Sequence, residues 1–205
     1  MTSFPLIISF YTTNTLYRLE IQNLIASCEA FGLETSIDGI ESFGSWELNC
    51  AYKPFFILEK LKTHRRAVLW VDADGVFLQK PSFLKVFEAD FAVRINSSCP
   101  LDHPSRVISS TVFANYTEGA MTVLRSWMRE SECELCREGR QREFWDQEAL
   151  RDAIAKNHTA DVRALPLTYA KIFDHPEDQK IADTIIIEHY QASRRLKNAE
   201  KWTFS

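Results

Sequence analysis

Ala67-Val68-Leu69-Trp70-Val71-Asp72-Ala73-Asp74-Gly75 is the stretch on which the reading of this chain turns. Its first five residues form a short, continuous apolar run rich in β-branched and aromatic side chains, which reads as a strand buried on both faces of a parallel sheet. Two carboxylates follow, two residues apart, where the strand runs out, and ligands collect where such strands end. Side chains at i and i+2 lie about 6.5 Å apart on one face of an extended strand. A single small ion therefore reaches both aspartates only if the chain turns between them, and Gly75 is expected to permit that turn. The same residues also suit an exposed turn, since Asp-Gly is a common turn pair. The segment alone leaves a cation site and a plain turn both open.

Around this stretch the pattern alternates. Leu6 to Tyr11 is an apolar strand, Thr12 to Asn14 a polar turn, and Leu16 to Phe31 carries apolar residues at a roughly helical spacing. Gly32 is placed as a C-cap glycine, and Leu33 to Asp38 reads as a second strand stopped by Gly39. Pro54, read as a first-turn residue, opens a helix through Phe56, Ile57, Leu58 and Leu61 that leads into the quoted strand. The order so far is β-α-β-α-β. Beyond it come a short strand at Val76 to Leu78, a short helix at Phe83 to Phe87, and strands at Phe91 to Ile95 and Val107 to Ala114. Asn96 to Arg106 has no periodicity and reads as a loop near the ligand face. Helices are expected at Glu118 to Met128 and at Asp146 to Lys156, the latter capped by Asp146. Late strands follow at Val162 to Leu165 and Thr184 to Glu188, then a basic stretch from Arg194 to Lys201.

Composition sets the outer limits. At 205 residues, 45% hydrophobic and 25% charged, the chain is expected to be one globular domain with a substantial core. A net charge of −4 leaves no nucleic-acid footprint. No run approaches the roughly 20 apolar residues of a spanning helix. The first basic residue is Arg18, so the charged start of a signal peptide is missing and a cytoplasmic location is expected. Five cysteines without a secretion signal favour free thiols. Cys133 and Cys136 form a lone C-x-x-C, better read as a helix end or surface loop than as a zinc or redox site.

Four segments, in order along the chain, carry a resemblance. They are Lys53-Pro54 before a helix, Val68 to Asp74, Asp146-Gln147-Glu148-Ala149-Leu150, and Ile187-Glu188-His189-Tyr190. In order and approximate spacing they resemble the nucleotide-diphospho-sugar transferases of the GT-A fold, and more distantly the glycogenin-like enzymes, over nearly the whole chain. The resemblance implies an α/β fold, a single GT-A domain with a mixed, mainly parallel sheet flanked by helices. It implies a glycosyltransferase using a nucleotide-sugar donor, UDP being the nucleotide by family analogy, and Mn²⁺ or Mg²⁺. It leaves the acceptor open among protein, glycan and lipid-linked hydroxyls.

Residue by residue, the resemblance implies that Asp74 and His189 coordinate the ion bridging the donor diphosphate, while Asp72 contacts ribose and shares the metal. Carboxylates with an imidazole suit Mn²⁺ somewhat better than Mg²⁺, imidazole being the softer ligand. Phe10, Tyr11 and Thr12 are implied at the nucleotide base, and Asp38 near base or ribose. Lys53 and Ala73 are implied on the donor, and Asp146 and Gln147 at the sugar as the catalytic pair. Ser109 to Thr111 and Asn115 resemble the strand lining the donor sugar. Arg194, Arg195 and Lys197 suit phosphate oxygens; the sequence departs here from the glycogenin-like pattern, in which a glycine and a lysine follow the histidine closely, and Ala192 and Ser193 stand where more room for phosphate is expected. If the reaction inverts the sugar, Asp146 or Asp102 is the candidate base. Trp46, Trp127 and Trp145 read as core or lid residues.

Two rival readings exist. Val71-Asp72-Ala73-Asp74-Gly75-Val76 also resembles the signature of haloacid-dehalogenase-type phosphatases, with Asp72 as nucleophile. That family carries its motif on the first strand, whereas here two β-α units come first, and Asp146, Gln147 and His189 are left unexplained. The other rival is a catalytically silent module that binds nucleotide or metal.

Overall fold

The computed structural model describes residues 4–196; Lys197, expected at the donor, lies outside them. A six-stranded sheet runs through the centre in the order β2-β1-β3-β6-β5-β7. Its strands are β1 (Leu6–Thr12), β2 (Thr35–Ile40), β3 (Val68–Val71), β5 (Phe91–Ile95), β6 (Val107–Ala114) and β7 (Val162–Ala164). β1 pairs in parallel with β2 and β3, β6 is antiparallel to β3 and β5, and β7 is parallel to β5. Five strands thus share one direction and β6 opposes them, the mixed, mainly parallel arrangement expected. A second sheet joins β4 (Gly75–Phe77), β8 (Lys171–Ile172) and β9 (Ile187–His189) in the order β4-β9-β8.

Strand alternation divides the core between the sheet's two faces. Leu6, Ile8 and Phe10 of β1 pack with Val68 and Trp70 against three helices: α2 (Trp46–His64), α3 (Glu118–Leu135) and α4 (Asp146–Lys156). Ile7, Leu69 and Val71 face the other way, towards α1 (Tyr17–Ala30), Phe77 and Tyr169. All four β3 residues are buried, as the apolar run demanded. Trp127 is fully buried in the first core, and its indole N–H donates to the Asp146 carbonyl at 2.9 Å, fixing the start of α4. Among the described residues no helix is long and apolar enough to cross a membrane.

Several expectations are corrected. α2 begins at Trp46, eight residues before Pro54, because Ser45 caps it by accepting the Leu48 N–H at 3.2 Å. Pro54 lies inside the helix, where packing of Phe56, Ile57 and Leu61 outweighs the lost hydrogen bond. Gly39 continues β2 and pairs with Tyr11; a Cβ there would meet Thr13 Cγ2 at 2.7 Å, so the glycine serves close packing rather than strand termination. Ser82–Val86 is a 3₁₀ turn, α3 extends to Leu135, and β8 had no signal in the sequence. Cys133 lies on the end of α3 and Cys136 caps it, both exposed free thiols, as expected.

Arg94 of β5 and Asp178 form a buried bidentate pair at 2.5 and 2.6 Å, completed by the Ile172 N–H on the carboxylate and the Ala170 carbonyl on the guanidinium. Burial alone would raise the Asp178 carboxyl, but the guanidinium and the amide together hold it below the ordinary carboxylate range. The stability it supplies is therefore present above that range and is lost as pH falls through the depressed value. Unfolding free energies measured against pH should fall more steeply in wild type than in Asp178→Asn below about pH 4. Parallel curves would remove Asp178 as the source of that acid sensitivity. Arg94→Met, which strands the buried carboxylate, should cost about 3–5 kcal/mol at neutral pH.

Candidate active site

The carboxyl ends of β1 and β3 open on a pocket walled on one side by α2. Trp46, Asn49, Cys50 and Lys53, spaced i, i+3, i+4 and i+7 along one helix face, line it together with Phe10, Tyr11, Thr12 and Tyr17. Trp70, Asp72, Ala73 and Asp74 come from β3 and the turn after it, Asp146 from α4, and Gln191 and Ser193 from the chain after β9.

Lys53 is the centre of the charge arrangement. Its buried ammonium lies 2.9 Å from Asp72 Oδ1 and 2.8 Å from Asp146 Oδ2. Asp146 also accepts the Ser109 hydroxyl at 2.9 Å, and the Trp70 indole N–H donates to Asp72 at 2.7 Å. Burial opposes a charged lysine, but the two carboxylates outweigh it and raise its pKa. Asp72 is raised from the usual carboxylate range, first by burial and then by the nearby Asp74 charge, against the pull of Lys53. Asp146 had been expected to cap α4, yet its side chain makes no capping bond there because Lys53 and Ser109 hold it.

Asp72 to Gly75 forms a tight turn closed by the Gly75 N–H on the Asp72 carbonyl at 2.8 Å. The glycine is needed for space rather than for a left-handed backbone. A Cβ there would meet Val71 Cγ1 at 2.4 Å and His189 Cε1 at 3.0 Å, because β4 runs antiparallel to β9 with Gly75 opposite His189. Asp74 Oδ2 accepts the Ala192 N–H at 2.7 Å, so the turn is tied to the start of α5 (Ala192–Leu196). Burial would raise the Asp74 carboxyl, but the His189 imidazole and the Ala192 amide together hold it below the usual range.

His189 is fully buried. Its Nε2 shares a 2.8 Å hydrogen bond with Thr111 Oγ1, while Nδ1 has no hydrogen-bond partner and lies 3.6 Å from Asp74 Oδ1, too far for such a bond. Where Nε2 carries the only proton and donates to Thr111, the Nδ1 lone pair faces the carboxylate; where Nδ1 is protonated, the ring supports the Asp74 charge instead. A buried acceptor facing an anion suits a cation between them. Among the described residues no three His, Cys, Asp or Glu side chains are drawn together as a complete ligand set, since Asp72 is turned towards Lys53 and Trp70. Asp74 and His189 are the two groups that could each offer one ligand to an ion here.

Of the residues singled out in the sequence, Phe10, Tyr11, Thr12, Lys53, Asp72, Ala73, Asp74 and Asp146 converge on the pocket, with His189 directly behind Asp74. Four others have their side chains engaged elsewhere. Asp38 pairs with Lys60 at 2.7 Å, and the Gln147 amide donates to the Pro104 carbonyl at 3.0 Å. Arg194 pairs with Asp174, and Arg195 with Glu20 at 3.0 Å. Tyr17, Trp46, Asn49, Cys50, Trp70, Gln191 and Ser193 line the pocket without having been singled out as ligand contacts. The helical spacing of the α2 residues was the available signal.

No family model matches the chain, and neither does any curated protein. Solved structures do. A glycosyltransferase involved in glycosylation of the major capsid of PBCV-1 superposes with a TM-score of 0.67 at 12% identity, over 97% of this chain and 99% of that one. The galactosyltransferase LgtC, in complex with donor and acceptor sugar analogues, gives 0.55 at 11% identity over 91% of this chain and 87% of its own. The glycosyltransferase GlyE of Streptococcus pneumoniae TIGR4 gives 0.59 at 14% identity, over 92% of this chain and 54% of its own. The fold is therefore the GT-A glycosyltransferase fold that the sequence resemblance implied.

Removing the ammonium should expose how much the site depends on it. Lys53→Met leaves two carboxylates facing a buried apolar side chain and should destabilise the protein by about 3–5 kcal/mol in urea denaturation. Adding Asp146→Asn to Lys53→Met should restore part of that loss, because one of the stranded charges is gone. A single variant within about 0.5 kcal/mol of wild type would mean the bridge is not holding these elements together.

Proposed function

We propose that this protein transfers a sugar from a nucleotide-diphosphate donor to an acceptor hydroxyl. The observation that carries this reading is the convergence of Asp72, Asp74, Asp146 and Lys53 at the strand ends, in a fold shared with solved glycosyltransferases. Ring faces of Phe10, Tyr11, Tyr17 and Trp46 in the pocket suit a nucleobase. Asp146 offers an acceptor to a sugar hydroxyl, and Ser109 and Lys53 fix its orientation. Asp72 offers an acceptor to ribose. The donor nucleotide is taken as UDP on the strength of the resemblance.

Three carboxylates against one ammonium give the pocket a formal charge of 1 − 3 = −2, with His189 neutral, so a diphosphate approaching it is repelled unless a cation intervenes. Asp74 and Nδ1 of His189 offer two ligands that fit a divalent ion, Mn²⁺ somewhat better than Mg²⁺, with the diphosphate oxygens supplying the rest. When bound, such an ion supplies positive charge to the diphosphate leaving group. The chain's own residues orient the donor and hold the reacting sugar against the turn.

Thermal melts test this directly. UDP at about 100 times its Kd should stabilise the protein by about 2.7 kcal/mol with Mn²⁺ present and leave it unchanged in EDTA. His189→Ala should keep the fold and weaken metal-dependent donor binding by about 10- to 100-fold. Equal UDP shifts with and without EDTA would overturn the metal-dependent reading. Donor hydrolysis should be lost in Asp74→Asn; donor affinity without any turnover in wild type would leave a binding module. A phosphoryl group trapped on Asp72 would assign a phosphatase instead.

A further inference from the structure

The face of α2 turned away from the pocket opens on a second cavity. Leu48, Ala51, Tyr52 and Phe55, again at i, i+3, i+4 and i+7, meet the last turns of α3 across a groove of about 430 Å³ to which Phe43 also contributes. That volume lies within the range of small-ligand sites, roughly 300–1,000 Å³. Phe43, Tyr52 and Phe55 form a run of touching rings, with centroids 4.9 and 5.3 Å apart. Phe43 is 49% and Phe55 46% exposed, which is unusual for side chains of this size packed against one another.

Two polar groups of α3 line the same groove and have no work in the fold. Ser131 is 2% exposed, and its hydroxyl has no hydrogen-bond partner among the described residues, a cost in free energy at a buried position beneath the groove. Glu132 enters no ion pair among the described residues, whereas its neighbours on α3 are tied down, Glu130 to Lys156 and Glu134 to Arg137. Electron-rich ring faces beside an unpaired carboxylate select a cation with apolar substance attached. An anion would be repelled by Glu132, which is exposed at the groove, and a neutral apolar body would gain nothing from its charge.

We propose that the groove between α2 and α3 binds a small organic ammonium carrying an apolar body, at a site separate from the donor pocket. The rings and aliphatic side chains take the apolar body, and Glu132 faces the positive charge. This assignment stands apart from the transfer reaction, because no groove residue lines the donor pocket.

Three isosteric probes separate charge from hydrophobicity: phenethylammonium, 2-phenylethanol and phenylacetate, titrated into the full chain at neutral pH and followed by NMR shifts of the groove residues. The ammonium should bind about 3- to 10-fold more tightly than the alcohol, with the carboxylate weakest. Glu132→Gln should bring the ammonium down to the affinity of the alcohol, leave the alcohol unchanged, and leave the UDP response intact. Phe55→Ser should weaken the ammonium and the alcohol alike. Equal affinities for ammonium and alcohol in wild type would reduce the groove to an apolar crevice and overturn the proposal. So would absence of binding by all three probes at millimolar concentration, or a concentration-dependent dimer that covers these residues. Far-UV circular dichroism of each variant distinguishes lost binding from lost fold.

Discussion

A buried ammonium is the constraint around which the rest is arranged. Lys53 reaches from α2 to Asp72 at the end of β3 and to Asp146 at the start of α4, so one charge ties two helices to the central strand. Moving a lysine into such surroundings costs several kcal/mol unless carboxylates compensate it, and here two do. The arrangement also fixes what the pocket lacks. With Asp72 committed to Lys53, the second aspartate of the turn is left with a histidine that does not hydrogen-bond to it. The site thus separates into a half bridged by Lys53 and a half in which Asp74 faces a buried imidazole whose Nδ1 has no hydrogen-bond partner among the described residues.

Close packing sets the second half in place. Gly75 has no room for a side chain, because Val71 and His189 fill the space a Cβ would take. This lets β9 lie directly against β4 and delivers the imidazole behind Asp74. Asp74 in turn accepts the first amide of α5, and the Tyr190 N–H donates to its carbonyl at 3.2 Å. The D-x-D turn is therefore a structural corner as well as a chemical one.

The sequence made the central strands legible because burial on both faces leaves an apolar run that few other structures produce. Asp72, Asp74 and His189 were legible through chemistry and resemblance. The early part of α2 was not, and the reason is local: Pro54 carries a strong helix-start signal, while Ser45, after Phe43 and Gly44, offers only a single capping side chain. Placing the start eight residues late hid both faces of the helix, the pocket face at Trp46, Asn49, Cys50 and Lys53 and the groove face at Leu48, Ala51, Tyr52 and Phe55. Asp38, Gln147, Arg194 and Arg195 sit at positions where sequence correctly put polar groups near strand or helix ends. Pairing decided their directions, and partners such as Lys60 and Glu20 are distant in sequence. No local pattern reports a contact of that kind.

The register of β4 against β9 has a temporal consequence. Gly75 and His189 are adjacent in space but 114 residues apart in sequence. Closing so long a loop is entropically slow, and pairings of this separation tend to form late. During synthesis from the amino terminus, the strands carrying Trp70 and Asp72 can pair well before Ile187–His189 leaves the ribosome. Until then the turn has its aspartates without the imidazole, and Gly75 faces an empty strand edge. A nascent chain halted short of β9 would thus carry the residues of the lysine bridge but not the histidine.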